Sequence, residues 1–213
     1  MCTTGTYSLS YSLPNTIKLL GYTAAHAQLL TIPVYATACL ACLGNALLAD
    51  KLRRRYHAIV VPYGVSLIGC IICLTVSPVT KPGVIYFALF LIPSGIFAAV
   101  PAVISWISNN LAGQWKRSIG IGLEFGLGNL IGGVVGSNIF LSRESPDFRT
   151  AYIILLSFFA MGILAATAQL LIMMAANKKS KQLIERTPPE ELERLDAEHK
   201  DDGDKSPFLT YTL

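Results

Sequence analysis

Residues 106–140 read WISNNLAGQWKRSIGIGLEFGLGNLIGGVVGSNIF, and the fold turns on how that stretch is divided. Ser108 to Arg117 is the only strongly polar interruption in a run that is otherwise apolar from about Val84 to Phe140, so a turn falls there between two helices. After the turn, Gly120, Glu124, Gly128, Gly132 and Gly136 recur at intervals of four. Helical geometry sets such positions along one slowly drifting stripe. Glycine is a poor helix former in water, but in lipid its bare backbone lets a neighbouring helix approach closely. Gly120, Gly128, Gly132 and Gly136 are therefore predicted to pack against a partner helix. Glu124 lies on the same stripe, where a carboxylate is costly unless it faces the bundle interior or a wet cavity. The alternative is that Glu124, about two turns from Lys116 and Arg117, snorkels to the interface or pairs with them.

Composition sets the class. Hydrophobic residues make up 53% of the 213 and charged residues only 14%, and the mean hydropathy is positive. Together these argue against a disordered chain or an ordinary soluble domain and for a chain that lives in a lipid bilayer. The net charge of +4 describes no single surface, because residues 1–140 carry only Asp50 and Glu124 as acids and most acids lie beyond Thr187. No nucleic-acid partner is expected, since the cations sit in short loops and at helix ends instead of forming a stripe with stacking aromatics.

A full membrane span needs about 20 mostly apolar residues. Residues 1–22 fall short: the stretch lacks the basic and apolar regions of a signal peptide, is rich in Ser and Thr, and reads as a partial or weak first membrane helix. Five complete spans follow, about 28–49, 58–77, 84–106, 118–141 and 151–176, making residues 23–176 a membrane bundle and 177–213 a polar tail. Pro93, Gly95 and Pro101 predict a kinked third span. The tail sequence from Thr187 through Pro188, Pro189 and Glu190 reads as a capped start to a short solvated helix. Lys51, Arg53, Arg54, Arg55, Lys116, Arg117, Lys178, Lys179 and Lys181 fall on one side of the membrane, against Lys18, Lys81, Arg143 and Arg149 on the other. The positive-inside rule makes the first side, and with it the C-terminus, cytoplasmic.

Cys39-x-x-Cys42 and Cys70-x-x-Cys73 mimic zinc-ribbon spacing, but both pairs fall inside spanning helices, where cysteine serves as a small apolar packing residue. No metal or cofactor is expected, and His26, His57 and His199 form no constellation. Gly126 to Gly132 spells a G-x-G-x-x-G string within a span and after no strand, so the dinucleotide reading fails on context. No enzyme chemistry is read.

Several motifs resemble a known family. Leu48-Ala49-Asp50-Lys51-Leu52-Arg53-Arg54-Arg55 looks like the second-half loop motif of major facilitator superfamily transporters. Ser12-Leu13-Pro14-Asn15-Thr16-Ile17-Lys18 with Leu20-Gly21-Tyr22, then Ala27 to Pro33, is similar to a helix junction of the fungal allantoate permease family, the anion:cation symporters. Trp106 to Gly113, Lys116-Arg117, Gly128-Asn129 and Gly136 to Phe140 resemble that family's helix ten to eleven signature, and Ser206-Pro207-Phe208 with Tyr211 and Leu213 is like its ending. The resemblance implies twelve helices in two six-helix halves, a substrate site near the midplane and alternating access. This chain corresponds to the C-terminal six-helix half, an all-α membrane protein whose first helix is truncated or weak, and it departs from the family in carrying an acid at Glu124.

The expected function is that of a plasma-membrane transporter, or a fragment of one, for small organic anions such as allantoate, nicotinate or pantothenate, proton-coupled and partnered by the missing N-terminal half. Asn109, Glu124 and Asn129 are the candidates for the substrate or proton pathway. Asp50, Arg53, Arg54, Arg55, Lys116 and Arg117 are read as a conformational latch. The rival expectation is a truncated, non-transporting membrane protein that associates with a full-length permease.

Overall fold

In the computed structural model the described residues are 2–52, 55–111, 113–140, 144–145, 147–186 and 211–212. They form six helices: α1 (Cys2–Leu19), α2 (Ala24–Leu52), α3 (His57–Thr75), α4 (Pro82–Asn110), α5 (Gln114–Asn138) and α6 (Arg149–Arg186). All but α1 are long and apolar enough to cross a membrane. In α1 the apolar residues Leu9, Leu13 and Ile17 are buried, while Thr4, Ser8, Ser12 and Thr16 supply a buried hydroxyl row that lowers its hydropathy. Those hydroxyls are satisfied within the helix: Ser8 donates to the Thr4 carbonyl (2.7 Å), Ser12 to Ser8 (2.6 Å) and Thr16 to Ser12 (3.0 Å).

The turns fall where the sequence cannot continue a helix. Val76 is extended after α3, and Pro82 opens α4 at a position that needs no N–H donor. Between α4 and α5, Gly113 adopts φ +89°, a left-handed conformation that a side chain disfavours. At the start of α6 the Glu144 carboxylate accepts from the Thr150 amide (3.0 Å) and hydroxyl (2.7 Å), a favourable anion at a helix N-terminus. Helix α6 runs past the end of its apolar stretch to Arg186, because Asn177 to Arg186 holds no Gly or Pro and is rich in helix-forming Lys, Gln, Leu and Glu. The expected capped tail helix from Thr187 lies outside the described residues.

Helix α4 is continuous through Pro93 and Pro101 and sits at the centre of the bundle. One core gathers Leu9, Ile92, Ile96, Leu155 and Phe159 from α1, α4 and α6; the other gathers Leu13, Ile17, Val34 and Leu89 from α1, α2 and α4. Leu29, Ile32, Leu43 and Leu47 on α2, with Leu127, Leu130 and Val134 on α5, are exposed, as lipid-facing side chains are.

Polar pins hold the helices in register. A proline removes the amide that would pair with the carbonyl four residues before it, so Pro62 leaves the Ala58 carbonyl without its intrahelical donor. Asn45 of α2 fills that vacancy: its Nδ2 donates to the Ala58 carbonyl of α3 (2.9 Å) and to the Ala98 carbonyl of α4 (2.8 Å). Neighbouring helices are the usual remedy for freed backbone groups in membranes. Asn45→Leu keeps the volume and removes the donor, so it is expected to cost about 1–3 kcal/mol, the penalty for an unsatisfied buried acceptor. Thermal unfolding in detergent checks this, and a Leu variant melting with the wild type would rule out the pin.

Candidate functional site

Helix α5 lies along α1. Its glycine stripe grades from half-buried at Gly120, Glu124 and Gly128 to fully buried at Gly132 and Gly136. At Gly136 a Cβ would come within 2.9 Å of the Thr4 carbonyl and 3.0 Å of the Ser8 amide and hydroxyl, so the glycine end meets the hydroxyl row of α1. Gly120 meets Leu111, whose Cδ1 would lie 2.6 Å from an added Cβ.

Where the two helices end, Ser8, Ser12, Asn15, Lys18, Gly136, Ser137 and Ser145 line a cavity of about 470 Å³ that Phe140 and Phe148 also border. The Ser8 and Ser12 hydroxyl hydrogens are committed to backbone carbonyls. Their oxygens are left as acceptors, so the donors among the described lining residues are the Lys18 ammonium, the Asn15 amide and the Ser145 hydroxyl. Among the described lining residues, one cation and a side-chain amide donor beside an apolar wall suit a small molecule bearing a carboxylate. Of these residues only Gly136 was singled out above as a candidate. The signal that would have found Ser8 and Ser12 is the interval-of-four recurrence of Thr4, Ser8, Ser12 and Thr16, which complements the glycine stripe.

The expected pathway residues are placed apart. Asn109 is exposed at the end of α4, beside the buried Asn110. Glu124 is half-buried on α5. Asn129 is exposed and accepts from the Tyr7 hydroxyl at 3.3 Å. Five positions separate Glu124 from Asn129, about 140° round the helix. None of the three lines this cavity or a second one of about 560 Å³ between α3, α4 and α6.

Of the expected latch, Asp50 and Arg55 form an ion pair at 2.9 Å. The Asp50 side chain is largely exposed, and such surface pairs contribute about 0–1 kcal/mol. A weak pair breaks readily. Arg53 and Arg54 lie outside the described residues. Lys116 and Arg117 are exposed in the first turn of α5. Cys70 and Cys73 are buried in α3, and among the described residues no group of His, Cys, Asp and Glu is placed to hold a metal.

Comparison with known proteins finds fungal transporters similar to this chain. It is 37% identical to the MFS-type transporter cnsO of Penicillium expansum over 98% of the chain and 40% of that protein. It is 30% identical to the high-affinity nicotinic acid transporter of Saccharomyces cerevisiae over 85% of the chain and 33% of that protein. It is 29% identical to the major facilitator-type transporter hxnP of Emericella nidulans over 68% of the chain and 30% of that protein. The chain thus spans at most two-fifths of the length of these relatives. No family model matches it, and no solved structure does.

Proposed function

The chain is a homologue of fungal transporters of the major facilitator superfamily over 98% of its length, with the fold class of the C-terminal six-helix half of such a bundle, and on that premise we propose that it forms one wall of a proton-coupled importer of small organic anions. The single observation that carries this is the alignment with a nicotinic acid transporter over 85% of the chain. The subfamily we assign is that of the allantoate permeases, working by alternating access, with nicotinate, allantoate and pantothenate as the substrate class.

The cavity at the ends of α1 and α5 supports an anionic cargo, because Lys18 is the one cation among its described lining residues. In this reading Asn109, Glu124 and Asn129 line the pathway once a facing half is present, Glu124 carrying the coupled proton. Asp50, Arg53, Arg54 and Arg55, with Lys116 and Arg117, are the latch that breaks and reforms as the halves rock, and the glycines of α5 hold that helix to α1. The basic side of the bundle is cytoplasmic, the C-terminus with it, and the membrane is the plasma membrane.

Transport needs walls on every side of the pathway. A six-helix half alone would turn Glu124 and Asn129 towards lipid, where unsatisfied polar groups cost several kcal/mol each. The facing wall is therefore a six-helix half equivalent to the part of the relatives that this chain does not span. Labelled nicotinate, allantoate and pantothenate offered to yeast without permeases of its own should not enter saturably through residues 1–213 alone, but should when the chain is joined to the N-terminal half of a relative. Saturable, proton-dependent uptake by the chain alone would overturn the half-bundle assignment. A joined chain that reaches the membrane and moves none of the three would overturn the substrate class.

A further inference from the structure

Tyr211 and Thr212 lie between the end of α4 and the side of α6, held by two asparagines. Asn177 of α6 accepts from the Tyr211 amide (2.8 Å) and donates to the Tyr211 carbonyl (2.8 Å). Asn110 of α4 accepts from the Thr212 amide (2.8 Å) and hydroxyl (3.1 Å) and donates to the Thr212 carbonyl (3.1 Å). Trp106 Nε1 donates to the same Thr212 carbonyl at 3.0 Å.

A side-chain amide carries a donor and an acceptor spaced much as in a peptide unit, so each asparagine acts as one rung of a β-ladder. Successive residues of an extended strand turn their N–H and C=O groups to opposite edges. The pair of asparagines, one on each flanking helix, therefore satisfies both edges of a two-residue strand. The Tyr211 ring completes the match by lining the 560 Å³ cavity together with Ile59, Tyr63, Trp106, Ala166 and Met173.

We propose that the groove between the end of α4 and the side of α6 is a strand-receiving site whose ligand is the chain's own Tyr211–Thr212, and that this segment is a detachable strap fastening the end of α4 to α6. Recognition is of backbone, which any residue but proline presents, plus one aromatic side chain. This is the logic by which proteins take an extended peptide at an open edge. The occupant is the chain itself because its own two residues already make every one of these bonds. The strap joins the central helix of the bundle to the last one, so its release frees the end of α4. That consequence for switching rests on the transporter reading; the docking does not.

The chain has two tryptophans, Trp106, 7% exposed, and Trp115, 85% exposed. Trp115→Phe leaves Trp106 as a reporter inside the groove. In that background, acrylamide quenching of Trp106 should rise several-fold, with a red shift of its emission, when residues 208–213 are removed. Thr212→Pro, which removes both the amide and the hydroxyl that donate to Asn110, should do the same, and Thr212→Ala, which removes the hydroxyl alone, should change neither signal. A peptide of residues 206–213 added to the shortened chain should restore protection, and the same peptide with Tyr211→Ala should not. Circular dichroism and gel filtration confirm that each variant is folded; should the proline variant aggregate, the shortened chain decides. Equal quenching in full and shortened chains would overturn the proposal. Quenching of Trp106 by brominated lipid in the full chain would overturn it too, by showing that an acyl chain fills the groove.

Discussion

Gly95→Leu is expected to destabilise the bundle by about 3 kcal/mol or more, the upper end of what overpacking costs. Two effects compete at this site. Replacing a helical glycine removes a propensity deficit of about 1 kcal/mol, which on an exposed face would make the substitution stabilising. Here an added Cβ runs into the Pro62 carbonyl and the Ser66 hydroxyl of α3, with the Ser66 amide at 3.0 Å. Neither neighbour gives way easily: Pro62 is fixed by its ring, and the Ser66 hydroxyl donates to the Ile92 carbonyl at 3.0 Å, tying α3 to α4 at this level. The steric term therefore wins, and α3 must move off α4. Thermal melts in detergent should order the variants Gly, then Ala, then Leu, from most to least stable. A Leu variant that melts with the wild type would show that the two helices do not touch there.

Gly95 also marks how far the sequence could be read. Pro93, Gly95 and Pro101 predict a kink; α4 runs as one helix from Pro82 to Asn110 with both prolines inside it, and Gly95 is a point where it comes close to α3. The five apolar spans were legible because membrane crossing is a matter of length and hydropathy, both local properties. Helix α1 is the one described helix not long and apolar enough to cross, and it reads as a partial or weak span because of its hydroxyls. Their spacing of four, and their bonds to the carbonyls one turn back, make them a packing face.

Which helices meet is not a local property, and most of the candidate site depends on it. The carbonyl orphaned by Pro62 follows from the sequence by simple counting, but that Asn45 of another helix supplies the donor does not. Asn109 and Asn110 are indistinguishable as letters. One turns outward and the other is buried against Thr212, about a hundred positions along the chain. The contact depends on where the far end of the chain returns, which no pattern within the turn records.

The other large effect is expected at Gly136→Leu, because α5 is held to the bundle mainly along α1. The Cβ would stand 2.9 Å from the Thr4 carbonyl and 3.0 Å from the Ser8 amide and hydroxyl. Backbone on the facing helix cannot rotate aside as a side chain can, so the helices must separate, at a cost of about 1–3 kcal/mol. Gly126→Leu is the matched control: the chemistry is the same, yet nothing lies within 4 Å of that Cβ. With no clash to offset the gain in helix propensity, the Gly126 variant should melt at or slightly above the wild-type temperature. Separation also has a geometric signature. Tyr7 and Asn129 touch across the same interface, at 3.3 Å, through the full length of the tyrosine side chain, so cysteines placed at both positions of an otherwise cysteine-free chain should be joined by a bifunctional maleimide, the separation being too great for a direct disulfide. Gly136→Leu should suppress that cross-link and Gly126→Leu should leave it intact. The cavity lined by Ser8, Ser12 and Lys18 shares Gly136 as a wall residue. Loss of the cross-link in a joined, transporting chain should therefore come with loss of anion uptake, whereas uptake that survives helix separation would move the anion's path away from the α1–α5 cavity.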